Sequence, residues 1–249
     1  MNKDKIAITI SPIILKHIDS LVEQRHFQSR SHAITYYLEK GLNERAIDKG
    51  VILLSKEHQK LSLIEYKNKT FIENQVEFLK SQGINDIVIL TQKSEILDKI
   101  QQKVLDIKII QKDAKSTGDA LYSLKAELSQ KAFLVMSGDT YNEFNLSRMI
   151  AKHKEYKTIA TIGLVDKDNV ANCGVALLDG NLIIDFEEHP YEPKSHIVNA
   201  GVYIFEPEIF EYLSKKVVNI EREVLPELAK KGQLSGYFTH GHYVHIGEK

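Results

Sequence analysis

The chemically capable residues nearest the start of the chain fall on one short stretch. Lys5, Ala7 and Thr9 alternate with Ile6, Ile8 and Ile10, the period of two that turns one row of side chains to an apolar core and the other to the opposite face of a strand. The face carrying Lys5, Ala7 and Thr9 is expected to touch DNA. A strand of six residues is not stable alone, and no neighbouring segment reads as its hairpin partner. Its expected partner is the same strand of a second chain. Near the other end, His240, His242 and His245 are potential metal ligands. Residues 240 and 242 share one face of a strand and 245 points to the other, so a polar strand face is expected and no metal is assigned. Cys173 is the single cysteine. It excludes an internal disulfide or a multi-cysteine metal site, and reads as a small buried apolar residue rather than a nucleophile.

The elements that would position the first stretch follow it directly. Ser11 is a good N-cap and Pro12 suits a first helical turn, and Ile14, Ile18, Leu21 and Val22 then recur at helical spacing to about Arg25. Ser29 caps a second helix whose buried face is marked by Ile34, Tyr37, Leu38 and Leu42. Strand, helix and helix are each amphipathic and too short to enclose a core. Units below roughly 40 to 50 residues usually need oligomerisation, which predicts an intertwined dimer with a two-stranded ribbon.

In this order and spacing, residues 3 to 45 resemble a ribbon-helix-helix DNA-binding domain, the class of the Arc and methionine repressors. The resemblance implies that the ribbon enters the major groove and that Lys5, Ala7 and Thr9 read base edges. Lys5 would donate to guanine O6 and N7, Thr9 would donate or accept, and Ala7 would touch a thymine methyl. The family's turn before the second helix runs Gly, apolar, any residue, Ser, Arg, Ser. Here it runs His26, Phe27, Gln28, Ser29, Arg30, Ser31, with His26 in the glycine's place, a residue type that tolerates left-handed backbone better than most. The first amides of the second helix, with the Ser29 hydroxyl, would hold a phosphate, and Arg30 and Ser31 belong to the same DNA-facing motif.

The chain has 249 residues, 43% hydrophobic and 27% charged, which suits a globular protein of one or two domains. No run is long enough to span a membrane and no cleavable leader is evident, so no membrane partner and a cytoplasmic location are expected. Residues 1 to 50 carry eight Lys and Arg against six Asp and Glu, a charge of +2, while the remainder carries −3. The asymmetry is mild and implies moderate affinity for DNA phosphates. No Pro, Gly or Ser-rich linker separates Leu38–Gly50 from the strand that begins at Val51. Two domains are expected, 1–49 and 50–249, stiffly coupled.

From residue 51, strands and helices alternate. Strands are predicted at 51–54, 86–90, 107–110, 133–136 and 159–165, and helices at 71–82, 94–103, 119–128 and 145–156. Gly83 is the expected C-cap of the first helix. Residues 175–178 and 182–187 read as a hairpin through Asp179-Gly180. The fold class is α/β, a doubly wound mixed sheet of Rossmann-like type whose ligands bind at the carboxyl ends of the strands.

Those strand ends resemble the sugar-phosphate nucleotidyltransferases, over about residues 50 to 247. Phe133-Leu134-Val135-Met136-Ser137-Gly138-Asp139 is similar to the family strand ending in Gly-Asp, whose carboxylate holds magnesium. Ser116-Thr117-Gly118-Asp119-Ala120-Leu121 resembles the loop that receives the nucleotide base. Phe186-Glu187-Glu188-His189-Pro190 and Val198-Asn199-Ala200-Gly201-Val202-Tyr203-Ile204-Phe205 are similar to sugar-contacting segments. The resemblance thus implies a nucleotide or sugar-phosphate pocket at Thr117, Gly118, Asp139, Glu188 and Asn199. The chain also departs from the family. The glycine-rich triphosphate loop is replaced by Ser55-Lys56-Glu57-His58-Gln59-Lys60, the family Lys before Pro is His189, and the second metal-binding Asp is His245. Those losses fall on the triphosphate cradle, the sugar-phosphate cation and the metal, so a degenerate, catalytically inactive domain with no cofactor is expected.

The expected protein is a transcription regulator that binds double-stranded DNA as a homodimer or higher homo-oligomer, with the large domain serving assembly or ligand sensing. Two alternatives stand beside it. One is an active sugar-phosphate nucleotidyltransferase whose N-terminal unit dimerises it, and the other is an antitoxin-like autorepressor.

Overall fold

The computed structural model describes residues 7–44, 47–213, 218–239 and 241–246. The chain divides into two compact units, Met1–Ala46 and Ile47–Lys249.

In the first unit, helix α1 spans Pro12–Glu23 and α2 spans Arg30–Glu44. Ser11 caps α1 by accepting from the Ile14 amide at 3.4 Å, and Pro12 stands in its first turn. Arg30 grips Asp19 across the turn with two hydrogen bonds, Nε to Oδ1 at 2.5 Å and Nη2 to Oδ2 at 2.7 Å. Ala7–Ile10 is not a strand and pairs with none among the described residues, where a strand was expected over Lys5–Ile10. Lys5 and Ile6 lie outside the described residues. The left-handed position of the turn is Arg25, φ 59°, rather than His26.

In the second unit, β1 (Lys49–Leu54) is followed by the hairpin of β2 (Glu65–Tyr66) and β3 (Lys69–Thr70) and then by α3 (Phe71–Ser81), β4 (Asp86–Thr91), α4 (Leu97–Lys103) and β5 (Lys108–Gln111). Helices α5 (Thr117–Tyr122) and α6 (Lys125–Leu128) precede β6 (Phe133–Ser137), β7 (Thr140–Asn142), α7 (Leu146–Tyr156) and β8 (Ala160–Asp166). Strands β9 (Gly174–Asp179), β10 (Leu182–Glu188) and β11 (Ile197–Phe205) lead to α8 (Ile209–Tyr212), a π-helical turn at Ile220–Val224, α9 (Leu225–Lys230), β12 (Leu234–Phe238) and β13 (Tyr243–His245). The main sheet runs β5-β4-β1-β6-β11-β8-β12-β10-β9, and β13 pairs with β7 beside it. Strands β5, β4, β1 and β6 are parallel, whereas β11 is antiparallel to β6 and β8.

Alternation along the parallel strands creates two cores. Ile52, Leu54, Leu134 and Met136 face one cluster with Phe71, Leu79, Ile100 and Met149, while Val51, Phe133 and Val135 face the other with Leu121, Phe210, Leu225 and Leu228. Helices therefore cover both faces of the sheet, which is what strands apolar on both sides demand. A capping box fixes the start of α3: Glu73 Oε2 accepts from the Thr70 amide at 2.7 Å and from Thr70 Oγ1 at 2.5 Å. Gly83, φ 88°, follows its end. The single helix expected at 119–128 is two, broken at Ser123 and Leu124, where Ser123 Oγ donates back to the Ala120 carbonyl at 2.7 Å.

The ends of β1 and β6 meet without room for a side chain. The Gly138 amide donates to the Leu53 carbonyl at 2.7 Å, and a Cβ there would lie 2.8 Å from Leu54 Cα. Gly138→Ala is therefore expected to lower stability by about 1 to 3 kcal/mol, the range of overpacking substitutions, measured by urea denaturation of the full chain.

Candidate functional site

A cleft of about 650 Å³ lies along the carboxyl ends of β1, β4, β5 and β6 and is closed by β11 and the π turn. It brings together Thr117, Asp139, Glu188 and Asn199, four of the five ligand residues expected from the sequence. Gly118 serves the same region from beneath. It is buried, its amide donates to the Val218 carbonyl at 3.0 Å, and a Cβ would stand 2.3 Å from that oxygen. It allows α5 and the segment before the π turn to touch.

Asp139 follows β6 directly, and its side chain is only 16% exposed. Ser137 Oγ donates to Oδ1 at 2.6 Å, while His58 Nδ1 and His245 Nε2 approach Oδ2 at 3.2 and 3.5 Å. Burial raises the Asp139 pKa, but hydrogen bonds from His245 and Ser137 and the charges of His245 and His58 outweigh it, leaving the group below its usual range. His245 reaches this position because β13 pairs with β7 in the register His245↔Thr140. His242 lies elsewhere, its Nε2 2.6 Å from the Tyr66 hydroxyl. His240 lies outside the described residues.

The Asp139 surroundings do not fit a hard divalent cation. Such an ion takes several oxygen ligands, but Asp139 is a lone carboxylate already held by Ser137 and two imidazoles. Among the described residues no group of three or more His, Cys, Asp or Glu side chains is arranged to hold a metal.

A chain of polar groups lines the wall of the cleft formed by β11, α5 and the π turn. Asn199 Nδ2 donates to the Tyr203 hydroxyl at 2.8 Å, which donates to Glu221 Oε1 at 3.2 Å. Thr117 Oγ1 donates to Glu221 Oε2 at 3.0 Å and accepts from the Ile220 amide at 3.1 Å. Gly201, φ 68°, donates its amide to Asn199 Oδ1 at 3.0 Å. Its left-handed backbone bends β11 between the two halves of its pairing with β8. Burial raises the pKa of Tyr203 well above its ordinary value and raises that of Glu221. Glu188 is pushed up to about 7 by burial and by the Glu221 charge, with Arg222 opposing in part. His189, left-handed at φ 54°, places Nε2 3.1 Å from Glu188 Oε1.

The sequence did not single out Tyr203 or Glu221 as site residues, nor His58 as a partner of Asp139. Glu221 stands in a π turn, a form with no sequence signature, though its frequency at functional sites is known. Cys173 is buried, as expected, and lines the cleft.

The residues expected to face DNA belong to the first unit. Ala7, Thr9 and Ser31 are exposed. Ser29 caps α2, accepting from the His32 amide at 3.1 Å, and Arg30 is committed to Asp19. No helix among the described residues is long and apolar enough to cross a membrane.

Residues 52–244 match the nucleotidyl transferase family. The chain is 29% identical over 198 residues to the mannose-1-phosphate guanylyltransferase catalytic subunit beta of Danio rerio, covering 75% of this chain and 55% of that protein. It is 27% identical to probable mannose-1-phosphate guanylyltransferase 3 of Arabidopsis thaliana, covering 75% of this chain and 60% of that one. The chain spans about half the length of the curated relatives it matches. HddC from Yersinia pseudotuberculosis complexed with GMP-PN superposes with a TM-score of 0.67 at 21% identity, over 81% of this chain and 95% of that one. UDP-glucose pyrophosphorylase complexed with UDP-glucose gives a TM-score of 0.66 at 19% identity, over 81% and 94%.

These likenesses overturn two expectations. Relatives over three quarters of the chain are named as enzymes, against an inactive domain, and the matches lead to a transferase rather than a DNA-binding transcription regulator. The inactive reading rested on three losses, the glycine-rich loop, the Lys before Pro and the second metal-binding Asp, and it took the lost loop for lost phosphate binding, although side-chain cations also neutralise phosphate.

Glu188 supplies a measurable consequence. A carboxyl with a raised folded pKa binds more protons folded than unfolded, so its favourable contribution is complete below the unfolded value and is lost as pH rises through the folded one. Between pH 4.5 and about 7 the wild type should lose stability relative to Glu188→Gln, by at most about 3 kcal/mol at 1.36 kcal/mol per pH unit. Denaturation midpoints of both proteins across that window check it, and parallel pH curves would contradict the burial argument.

Proposed function

The chain belongs to the nucleotidyl transferase family, and on that premise we propose that it joins a nucleoside triphosphate to a sugar 1-phosphate with release of pyrophosphate. An oxygen of the sugar phosphate attacks the α-phosphorus. The new P–O bond forms as the bond to the β-phosphate oxygen breaks, and pyrophosphate departs with that bonding pair. The observation that carries the reading is the cleft at the carboxyl edge of the parallel strands, with a chain of polar groups running through Asn199, Tyr203, Glu221 and Thr117. Ligands of doubly wound sheets bind at that edge.

Glu188 and Asn199 face the cleft from β10 and β11 and are assigned to the sugar hydroxyls, one as acceptor and the other as donor and acceptor. Thr117 and Gly118 are positioning residues that tie α5 to the π turn, setting the wall on which a nucleotide base would rest. The names of the relatives support guanosine triphosphate and mannose 1-phosphate as first substrates to try.

The first unit is proposed to dimerise the chain in the ribbon-helix-helix manner. Its described residues bury Ile18 and Ala33 but leave Ile8, Ile13, Ile14, Tyr36, Tyr37 and Leu38 exposed. A unit of this size with so much apolar surface uncovered is of the kind that usually needs oligomerisation.

Purified full chain with magnesium, guanosine triphosphate and mannose 1-phosphate should release pyrophosphate in proportion to enzyme. Silence with every combination of common nucleoside triphosphates and sugar 1-phosphates would overturn the assignment. Glu188→Gln and Asn199→Ala should each lower kcat/KM by about 10- to 100-fold, the loss of one hydrogen bond involving a charged or buried polar partner. For assembly, light scattering should find a dimer, and Ile14→Asp with Leu38→Asp should convert it to monomer. A monomeric wild type would remove the dimer proposal.

A further inference from the structure

The segment between β1 and the β2–β3 hairpin, where a triphosphate would lie, has no backbone donors to offer at two of its central positions. The Lys56 amide donates to Gln92 Oε1 at 2.8 Å and the His58 amide to the Ser55 carbonyl at 3.1 Å. Buried Gln59 anchors the segment, donating to Thr91 Oγ1 at 2.8 Å and to the Gln92 carbonyl at 2.7 Å. Thr91 Oγ1 in turn donates to the Leu54 carbonyl at 2.6 Å, and Ser62 Oγ donates to the Gln59 carbonyl at 2.8 Å. The segment is a fixed turn in which the amides of Lys56 and His58 are already engaged while their side chains remain to serve the cleft.

Those side chains include a lysine and a histidine. His58 points inward to Asp139. Lys56 lines the cleft, as do Lys112 and Lys115 from the connection after β5. None of the three ammonium groups has an ion-pair partner among the described residues. The acidic groups lining the cleft are Glu57, on the same turn, and Asp139, Glu188 and Glu221. Asp139 is satisfied by His58, His245 and Ser137, Glu221 by Thr117 and Tyr203, and Glu188 lies against His189.

We infer that this cleft binds phosphate groups through side-chain cations, with no divalent ion on Asp139. Lys56, Lys112 and Lys115 bear the phosphate charge, and His58 and His245 are positioning residues that hold Asp139 as an internal counter-ion. The inference rests on the nucleotidyl-transfer reading for the identity of its ligand. It departs from a metal-centred site because the donor set around Asp139 does not fit one.

Inorganic pyrophosphate is the probe, titrated calorimetrically into the full chain in EDTA and in excess magnesium. The affinity in EDTA should lie within about threefold of that in magnesium, and the combined Lys56→Ala, Lys112→Ala, Lys115→Ala variant should bind about tenfold or more weakly in both. Equilibrium dialysis of Mn²⁺ should find no stoichiometric site on the wild type, while His245→Asp, which sets a second carboxylate beside Asp139, gains one. Binding of pyrophosphate only with magnesium overturns the inference and leaves nucleotidyl transfer standing. So does a stoichiometric Mn²⁺ site on the wild type that Asp139→Asn removes. Absence of pyrophosphate binding in both media overturns the inference together with the transfer reading.

Discussion

The meeting of β1 and β6 at Gly138 is the constraint on which the site depends. Because the Gly138 amide reaches the Leu53 carbonyl and no Cβ intervenes, the residue after β6 stands directly beside the segment after β1. Asp139 and His58, far apart in sequence, thereby come within 3.2 Å. The pairing of β13 with β7 then brings His245 to the same carboxylate from the other side. A bulkier residue at 138 would separate the strands and dissolve this arrangement before any side chain of the site was altered.

Much of the second unit was legible because its signals are local. Runs such as Val51–Leu54 and Phe133–Met136 alternate between two cores while remaining apolar throughout, and the Asp179-Gly180 turn marks its hairpin. The break at Ser123 and Leu124 was not legible, since one serine bonding its own helix carbonyl leaves no pattern in hydrophobic spacing. In the first unit the period of two at Lys5–Ile10 is a local preference that no pairing among the described residues supports.

The site was legible by residue type and obscure by partnership. Thr117, Asp139, Glu188 and Asn199 all face the cleft. Their meaning changes with Tyr203 and Glu221, which join Asn199 to Thr117 across residues that no spacing connects. His245 in place of an acidic residue read as a loss. In three dimensions it is an imidazole 3.5 Å from Asp139, and together with His58 it lowers the Asp139 pKa against the opposing effect of burial. A substitution that removes a ligand from one kind of site can complete another.

The cleft presents two kinds of wall, one of buried carboxyls and one of exposed lysines. Along the wall formed by β10, β11 and the π turn, burial raises the pKa of Glu188, to about 7, and that of Glu221, so both carboxyls take up a proton more readily than exposed ones and suit hydrogen bonding to neutral hydroxyls. Lys56, Lys112 and Lys115 stand exposed at the edge of the parallel strands, where an anion meets positive charge without displacing an ion pair among the described residues. The substrates proposed above match these two walls, phosphates against the exposed lysines and sugar hydroxyls against Glu188. Phosphate set against Glu188 and Glu221 would instead lie in a buried wall that already disfavours the ionised form of its own carboxyls, and the cost of desolvating the anion there opposes it. On the transfer reading proposed above, charge at the lysines and hydrogen bonding at the buried carboxyls act together to orient the substrate, before any contact with the base contributes.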